Sequence, residues 1–452
     1  MSIAELVARY DGRAPRYTSY PTAPHFSATV GAATYARWLG DLQGDAPISL
    51  YVHVPFCDRL CYYCGCNTSV VRLDSSRNAY ADRLVRELRL VASRIGRRLN
   101  VGQIHWGGGT PTTLPGARFV EVMSVLREVF SVCDDAEIAV ELDPTSLPAD
   151  RLEALKSAGV TRVSLGVQDL DAEVQEAIGR RQTYEETEAC ATAMRNLGVS
   201  SLNLDLIYGL PRQTIDGVRK TARRALDLNP DRVAVFGYAH VPWMKKHQAL
   251  INEAELPGAL DRFCQQEAIR DVLLDADYVA IGLDHFAKPS DAMAVALRRG
   301  SVRRSFQGYT TDAAPVLIGV GASAIGALPQ GYVQNAPAAA AYGRAIDEGG
   351  LATARGVALN SDVRLRRAVI ESLMCDLDVD LEAVAASHGL SAAPLLGDAR
   401  ALAQFVNDGL AEWNSPRIRV TEKGRPFVRS IAALFDAYLR HDEAHPRHAR
   451  AI

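Results

Sequence analysis

From Ile48 onward, short runs of apolar and β-branched residues alternate with longer stretches whose apolar residues recur every third or fourth position. The first pattern predicts buried strands and the second amphipathic helices. Strands are predicted at Ser49–Val54, Gln103–Trp106, Glu137–Leu142, Arg162–Gly166, Ser201–Ile207 and Arg232–Phe236. Helices are predicted near Arg77–Arg97, Gly116–Phe130, Pro148–Ser157, Tyr184–Leu197 and Ile215–Leu228. Each strand–helix unit takes roughly 35–50 residues, which suits parallel strands joined by helical crossovers. Six such units in succession predict an α/β fold, a partial (β/α)6 barrel of the TIM type.

The flanks break this rhythm. Residues 1–47 are rich in Tyr, Pro and Thr, as in Arg16-Tyr17-Thr18-Ser19-Tyr20-Pro21-Thr22, and the prolines forbid one continuous helix. An arm packed over a site is expected there. Residues 48–350 carry the barrel and its extensions, and Ala254–Gly326 reads as one helix (about Gly258–Asp275) with Gly- and His-rich loops. Residues 351–452 read as a small, mostly helical domain with a short strand pair at Arg417–Gly424, giving it a winged-helix look.

Composition narrows the function classes. Of 452 residues, 48% are hydrophobic and 23% charged, and the net charge is −3, so no basic excess points to nucleic acid. No secretory signal or spanning segment is read, and a cytoplasmic protein without stable membrane association is expected. Eight cysteines are present, four of them packed into Cys57–Cys66. Clustered cysteines in a reducing compartment read as metal ligands.

Cys57, Cys61 and Cys64 form C-x3-C-x2-C, which offers three thiolates. An iron–sulfur cube has four irons, so three ligands leave one iron open for a non-protein group. A zinc site is the rival; zinc motifs normally come as two spaced pairs, and no second pair exists. Cys66 could be a fourth ligand, but its C-x-C spacing from Cys64 fits a place beside the cube better. Trp106-Gly107-Gly108-Gly109-Thr110-Pro111 follows a predicted strand, where glycines let the backbone approach a ligand. Glu141, Gln168, Asp205 and His240 fall at or near successive strand ends, a rim suited to a polar ligand across the barrel mouth. Arg180 could pair a ligand carboxylate. Aromatic and basic residues mix in Tyr238–Lys246, Asp284–Lys288 and Ser305–Thr311, which suits a large flat ligand bearing acids.

The cysteine loop resembles that of the radical S-adenosylmethionine (SAM) superfamily. The chain from Arg16–Phe26 to beyond Ile325 resembles the oxygen-independent coproporphyrinogen III oxidase family within it. The carriers are Tyr17–Ala23, Cys66, Trp106–Pro111, Gly166–Asp169, Asp205–Pro211, Gly282–Ala287 and Phe306–Thr311. One departure is Ser305, where the family is expected to have Asn.

The resemblance implies a radical SAM barrel. Cys57, Cys61 and Cys64 would hold a 4Fe-4S cluster. Tyr51, Tyr63, Cys66, Gly108, Gly109, Thr110, Glu141, Gln168, Arg180, Asp205, Ala239 and Ile325 would line a site for two SAM molecules. Glu141, Phe306 and Gln307 would border the reaction centre. It implies that a 5′-deoxyadenosyl radical takes hydrogen from two propionates of coproporphyrinogen III, which become vinyl groups in protoporphyrinogen IX. A reducing donor such as flavodoxin or ferredoxin and a monomeric state are expected with it. The alternatives are a radical SAM tetrapyrrole methyltransferase, a haem-binding chaperone-like relative, or a plain iron–sulfur electron carrier. Cys66 and Arg16–Thr22 speak against the haem-binding one. For the substrate carboxylates, Arg16, Lys245, Lys246, Lys288 and Arg303 are the candidates.

Overall fold

The computed structural model describes residues 1–439 and residue 450; positions 440–449 and 451–452 of the expected C-terminal domain lie outside the described residues. Six parallel strands form the centre, in the order Ile48–Val54, Asn100–Gly108, Ser131–Leu142, Arg162–Gln168, Ser201–Tyr208 and Arg232–Gly237. Neighbours in sequence are neighbours in space, as a singly wound barrel requires. The sheet does not close on itself, so the barrel is partial.

Each crossover helix buries one apolar stripe. In Asp74–Ile95 the buried residues Tyr80, Ala81, Leu84, Val85, Leu88, Val91 and Ile95 recur at helical spacing. Gly96 ends that helix at φ +74°. These stripes meet the strands in a core containing Leu50, Val52, Ile104, Trp106, Val140, Val163, Leu165, Leu204 and Val233.

The sheet is wider than the sequence pattern predicts. Leu317–Val320 adds a parallel strand beside Ile48–Val54, and Ile325–Leu328, Gly331–Asn335 and Thr353–Ala358 extend that edge in antiparallel fashion. His285–Ala287 and Val279–Ile281 extend the other edge. The expected loops of Ala254–Gly326 therefore contain six short strands and the helix Ala292–Arg298. The strand runs are only three or four residues long and Gly-interrupted, too short to show a period. Thr353–Ala358 also lies past residue 350, so the sheet runs beyond the expected start of the C-terminal domain.

The arm has two helices, Ile3–Tyr10 and Ala32–Gly40, flanking the Pro- and Tyr-rich stretch. Ser2 and Glu5 start the first with a reciprocal capping box. The arm then divides between two cores. Val30, Tyr35, Trp38 and Leu39 join the barrel core. Leu6, Val7, Tyr10, Tyr17, Tyr20 and Phe26 join a second core with Val369, Leu373, Phe405, Phe427 and Phe435 of the C-terminal region. Tyr10 stacks on Phe405 at 4.6 Å between ring centroids. That region holds the helix Ser361–Asp376, shorter helices, and a three-stranded sheet of Asp378–Asp380, Arg417–Val420 and Ala411–Asn414. No helix among the described residues is long and apolar enough to cross a membrane.

Candidate active site at the barrel mouth

The carboxyl ends of the six parallel strands surround a cavity of about 560 Å³. Its wall includes Cys57, Cys61, Cys64, Cys66, Tyr63, Gly108, Gly109, Thr110, Glu141, Gln168, Arg180, Asp205, Ala239 and Gln307. Three predicted site residues lie outside the wall. Tyr51 sits behind it, its hydroxyl 3.0 Å from His53 Nδ1 and its ring against His105. Phe306 packs into the second core against Phe26 and Tyr332. Ile325 is a partly buried strand residue on that same core. His240 is also outside the wall; its Nε2 faces Glu253 at 3.0 Å.

A parallel pairing of Phe56–Cys57 with Ser69–Val70 closes the cysteine loop. Each sulfur of the triad has its own hydrogen-bonding neighbour. Thr68 Oγ1 lies 3.1 Å from Cys57 Sγ, and Thr110 Oγ1 donates to it over 3.7 Å. Arg180 Nη1 donates to Cys61 Sγ at 3.5 Å, and the Cys66 amide to Cys64 Sγ at 3.4 Å. The segment Lys245–Gln248 braces the loop from outside. Lys245 Nζ, His247 Nε2 and Gln248 Nε2 donate to the carbonyls of Cys66, Cys64 and Tyr63 at 2.8, 2.7 and 2.8 Å. The Cys66 side chain brings Cys64 down to about 6 against the effect of burial, helped by the Cys66 amide, His247 and Lys245. Burial pushes Cys57 up, opposed by Thr68 and Thr110. Sulfurs that accept hydrogen bonds favour the thiolate that iron needs.

The donor set therefore fits a 4Fe-4S cluster held by three cysteines. Among the described residues no three His, Cys, Asp or Glu side chains converge tightly enough for a single metal ion. Sulfurs spread around one cavity suit a multi-iron group better than zinc.

The glycine run is packed against protein. A Cβ on Gly107 would come 2.7 Å from Glu141 Oε1, one on Gly108 2.6 Å from the His53 ring, and one on Gly109 2.5 Å from the Phe56 carbonyl. The missing side chains admit Glu141, His53 and the root of the cysteine loop. Glu141 Oε2 accepts the Gly108 amide at 3.1 Å, and its Oε1 faces His105 Nε2 at 3.1 Å. Burial raises its carboxyl, but the bond and charge of His105 and the Gly108 amide bring it below the usual range, so it stays ionised. Asp205 behaves oppositely. Burial, then the Glu141 charge, push it up to about 7, although Asn203 donates to it at 2.8 Å.

Arg180 is largely committed within the protein. It reaches the Gly166 carbonyl at 2.7 Å and Asp143 at 3.4 Å, besides Cys61. Gln168 is held at φ +68°, a left-handed backbone that a residue with a side chain adopts only under constraint. Its Oε1 is buried without a partner, as are Arg180 Nε, Asn203 Oδ1 and His105 Nδ1. Orphaned polar atoms around one cavity are costly unless a ligand or water meets them. At Ser305 the departure is absorbed locally: its Oγ accepts the Gln307 amide at 3.2 Å, anchoring the turn.

His105, Asp143, Arg162, Asn203 and Arg232 also line the cavity and were not predicted; His285, from the expected ligand stretch Asp284–Lys288, joins them. Asn203 had a readable signal, being two positions before Asp205 on the same strand face. His105 and Glu141 meet diagonally, because His105 pairs in register with Ala139. Of the suggested carboxylate grips only Arg16 reaches the cavity; Lys288 pairs with Asp231 at 3.3 Å instead.

Comparison with known proteins bears on this geometry. Residues 51–225 match the family model described as Radical SAM superfamily, and residues 359–427 the HemN C-terminal domain. The chain is 50% identical to the oxygen-independent coproporphyrinogen III oxidase of Bradyrhizobium diazoefficiens, over 99% of this chain and 100% of that one. It is 42% identical to the same-named protein of Paracoccus denitrificans, over 99% and 98%. A solved structure from Escherichia coli, described as coproporphyrinogen III oxidase (HemN) and a radical SAM enzyme, superposes with a TM-score of 0.89. It is 41% identical, with 94% of this chain and 97% of that chain covered.

Proposed function

Because the chain belongs to the oxygen-independent coproporphyrinogen III oxidase family, within the radical SAM superfamily, we propose that the barrel-mouth cavity is its active site. Its function is the oxidative decarboxylation of coproporphyrinogen III, whose propionates become vinyl groups, with a 4Fe-4S cluster and SAM as cofactors. The methyltransferase and haem-carrier readings are not favoured, since the oxidase relatives match along almost the whole chain.

In our reading Cys57, Cys61 and Cys64 hold the cluster, and Cys66 steadies it through its amide on Cys64. When bound, the cluster and SAM would supply a 5′-deoxyadenosyl radical that takes hydrogen from the propionate β-carbon, two carbons from the carboxylate that is lost. The chain's own residues position and exclude water. Arg180 ties the cysteine loop to the Gly166 strand end and adds positive charge beside Cys61. Glu141, fixed by His105 and Gly108, presents an ionised carboxylate. Gln168, Asp205 and Ala239 continue the SAM wall, with Tyr63, Gly108, Gly109 and Thr110 opposite. Gln307 faces the reaction space, and Phe306 backs it from the second core. Tyr51 and Ile325 act from behind, Tyr51 by orienting His53 and His105.

Two SAM molecules, a flavodoxin- or ferredoxin-type reductant, a monomeric state and a cytoplasmic setting without nucleic acid or stable membrane association complete the proposal. They rest on the family resemblance and the net charge of −3.

The observation that carries the site assignment is the meeting of three hydrogen-bonded thiols and several orphaned polar atoms on one cavity. The test is anaerobic: reconstituted protein, SAM, dithionite and coproporphyrinogen III. Release of two carbon dioxide per porphyrinogen, with protoporphyrinogen IX formed, supports the reading. Methylated or ring-opened products would overturn it. Equilibrium dialysis of SAM against reconstituted protein is expected to give two equivalents; one equivalent removes the second SAM.

A further inference from the structure

A second, small cavity of about 30 Å³ adjoins the large one, sharing Arg16, Gly237, Tyr238 and Ala239 with its wall. Four guanidinium-bearing residues line it, Arg16, Arg262, Arg429 and Arg450, against one carboxylate, Asp284. Arg450 pairs with Asp11, and Asp284 has His285 Nδ1 at 2.7 Å. Arg429 is buried and donates to the Pro15 carbonyl at 3.0 Å and to that of Ala14, which pins the arm. Arg304 pins the same stretch by donating to the Arg16 carbonyl at 3.1 and 2.9 Å. Arg16 itself reaches the Gly237 carbonyl at 2.6 Å.

Arg262 stands apart. Among the described residues its side chain makes no hydrogen bond and no ion pair, and its Nε is buried. Its guanidinium lies 5.8 Å from the Tyr208 ring centroid, and the charge of Asp11, a carboxylate already paired with Arg450, acts on it from beyond ion-pair contact. Among the described residues, four guanidinium groups at this pocket stand against two carboxylates, Asp284 and Asp11, and that surplus positive charge favours entry of an anion. The space suits a headgroup and excludes a ring. A planar carboxylate matches the guanidinium fork.

We infer that Arg262, with Arg16, receives a propionate carboxylate of the porphyrinogen that is not being oxidised, and thereby fixes which edge of the macrocycle faces the large cavity. This rests on the oxidase reading. Arg429 and Arg304 are positioning residues that hold the arm so that Arg16 reaches the pocket.

Coproporphyrin III, the stable oxidised form, is the probe, titrated into anaerobically reconstituted full-length protein and followed by fluorescence quenching. Its tetramethyl ester is the carboxylate-free control. Arg262→Gln is expected to weaken coproporphyrin binding by about tenfold or more, without changing ester binding or SAM affinity. Arg262→Lys restores part of the loss, and the KM for coproporphyrinogen III rises more than kcat falls. Equal coproporphyrin affinity in Arg262→Gln and wild type overturns the inference. So does a loss confined to SAM affinity, which would give the pocket to the SAM carboxylate. Should Arg262→Gln melt early, Arg16→Gln on the exposed side decides by the same titration. If the wild-type protein cleaves SAM yet neither binds coproporphyrin nor decarboxylates its reduced form, the oxidase reading itself fails and the inference falls with it.

Discussion

Cys61 is 8% exposed, and its sulfur accepts from Arg180 at 3.5 Å. Exchange of that sulfur for oxygen would remove one of the three proposed cluster ligands. Cys61→Ser is expected to lose the brown chromophore and SAM cleavage, whereas Cys66→Ser keeps part of the chromophore. Anaerobic visible spectra after reconstitution check both, and a brown Cys61→Ser with full turnover would undo the ligand set. Asp205 allows a second test. Burial, with the Glu141 charge, pushes it up to about 7, so it gains its negative charge as pH rises through neutrality. SAM carries a sulfonium cation, so its affinity is expected to climb between about pH 6 and 8, by at most about tenfold per unit. Asp205→Asn should flatten that profile in calorimetric titrations. A flat wild-type profile takes Asp205 out of the SAM contacts. The cysteines were legible from their spacing, and Asp205 because it interrupts an apolar strand with a polar group. Arg262 was not, since on a helix an arginine reads as solvated surface.

The helix Asp74–Ile95 holds the loop after Leu317–Val320 through buried polar groups. Glu87 accepts the Gly321 amide, the Tyr342 hydroxyl and the Asn335 amide at 2.7, 2.7 and 2.6 Å. Tyr80 donates to the His53 carbonyl at 2.7 Å and accepts the Ala322 amide at 2.8 Å. Burial raises Glu87 to about 7 against those bonds. Between the unfolded value near 4.5 and that folded value, the native state holds a proton the unfolded chain has lost. Stability from this group is therefore full below about pH 4.5 and falls as pH rises, by up to ~1.4 kcal/mol per unit. Glu87→Gln should flatten the slope measured by urea unfolding from pH 5 to 8; an unchanged slope would deny Glu87 that proton. Tyr80→Phe should cost about 1–3 kcal/mol by leaving the His53 carbonyl unpaired. Six central strands and five crossover helices were legible because long apolar periods survive in the sequence. The edge strands were not: His285–Ala287 and Leu317–Val320 take their conformation from the neighbour they pair with. The arm helix Ile3–Tyr10 was hidden by the prolines that follow it.

At the scale of the molecule, the arm is sewn into the C-terminal core. Leu6, Val7, Tyr10, Tyr17, Tyr20 and Phe26 are all buried there. Fully burying one such side chain is worth about 1.5–3 kcal/mol. Removing residues 1–26 should thus unfold the C-terminal region before the barrel, seen as early proteolysis beyond residue 359 in a chain whose barrel still resists. Simultaneous loss of both would contradict the two-core description. The sequence pattern showed an arm and a helical tail but not their union, because apolar contacts across such a separation leave no period to read. That union also sets a schedule during synthesis. Residues 3–26 leave the ribosome first and then wait for partners made last, while the barrel and its cysteine loop are completed in between. At ~5–20 residues per second the wait lasts on the order of tens of seconds. The proposed cluster loop thus stands in a folded barrel before that second core exists, and a nascent chain stalled with residues past 358 in the exit tunnel should already accept iron and sulfide.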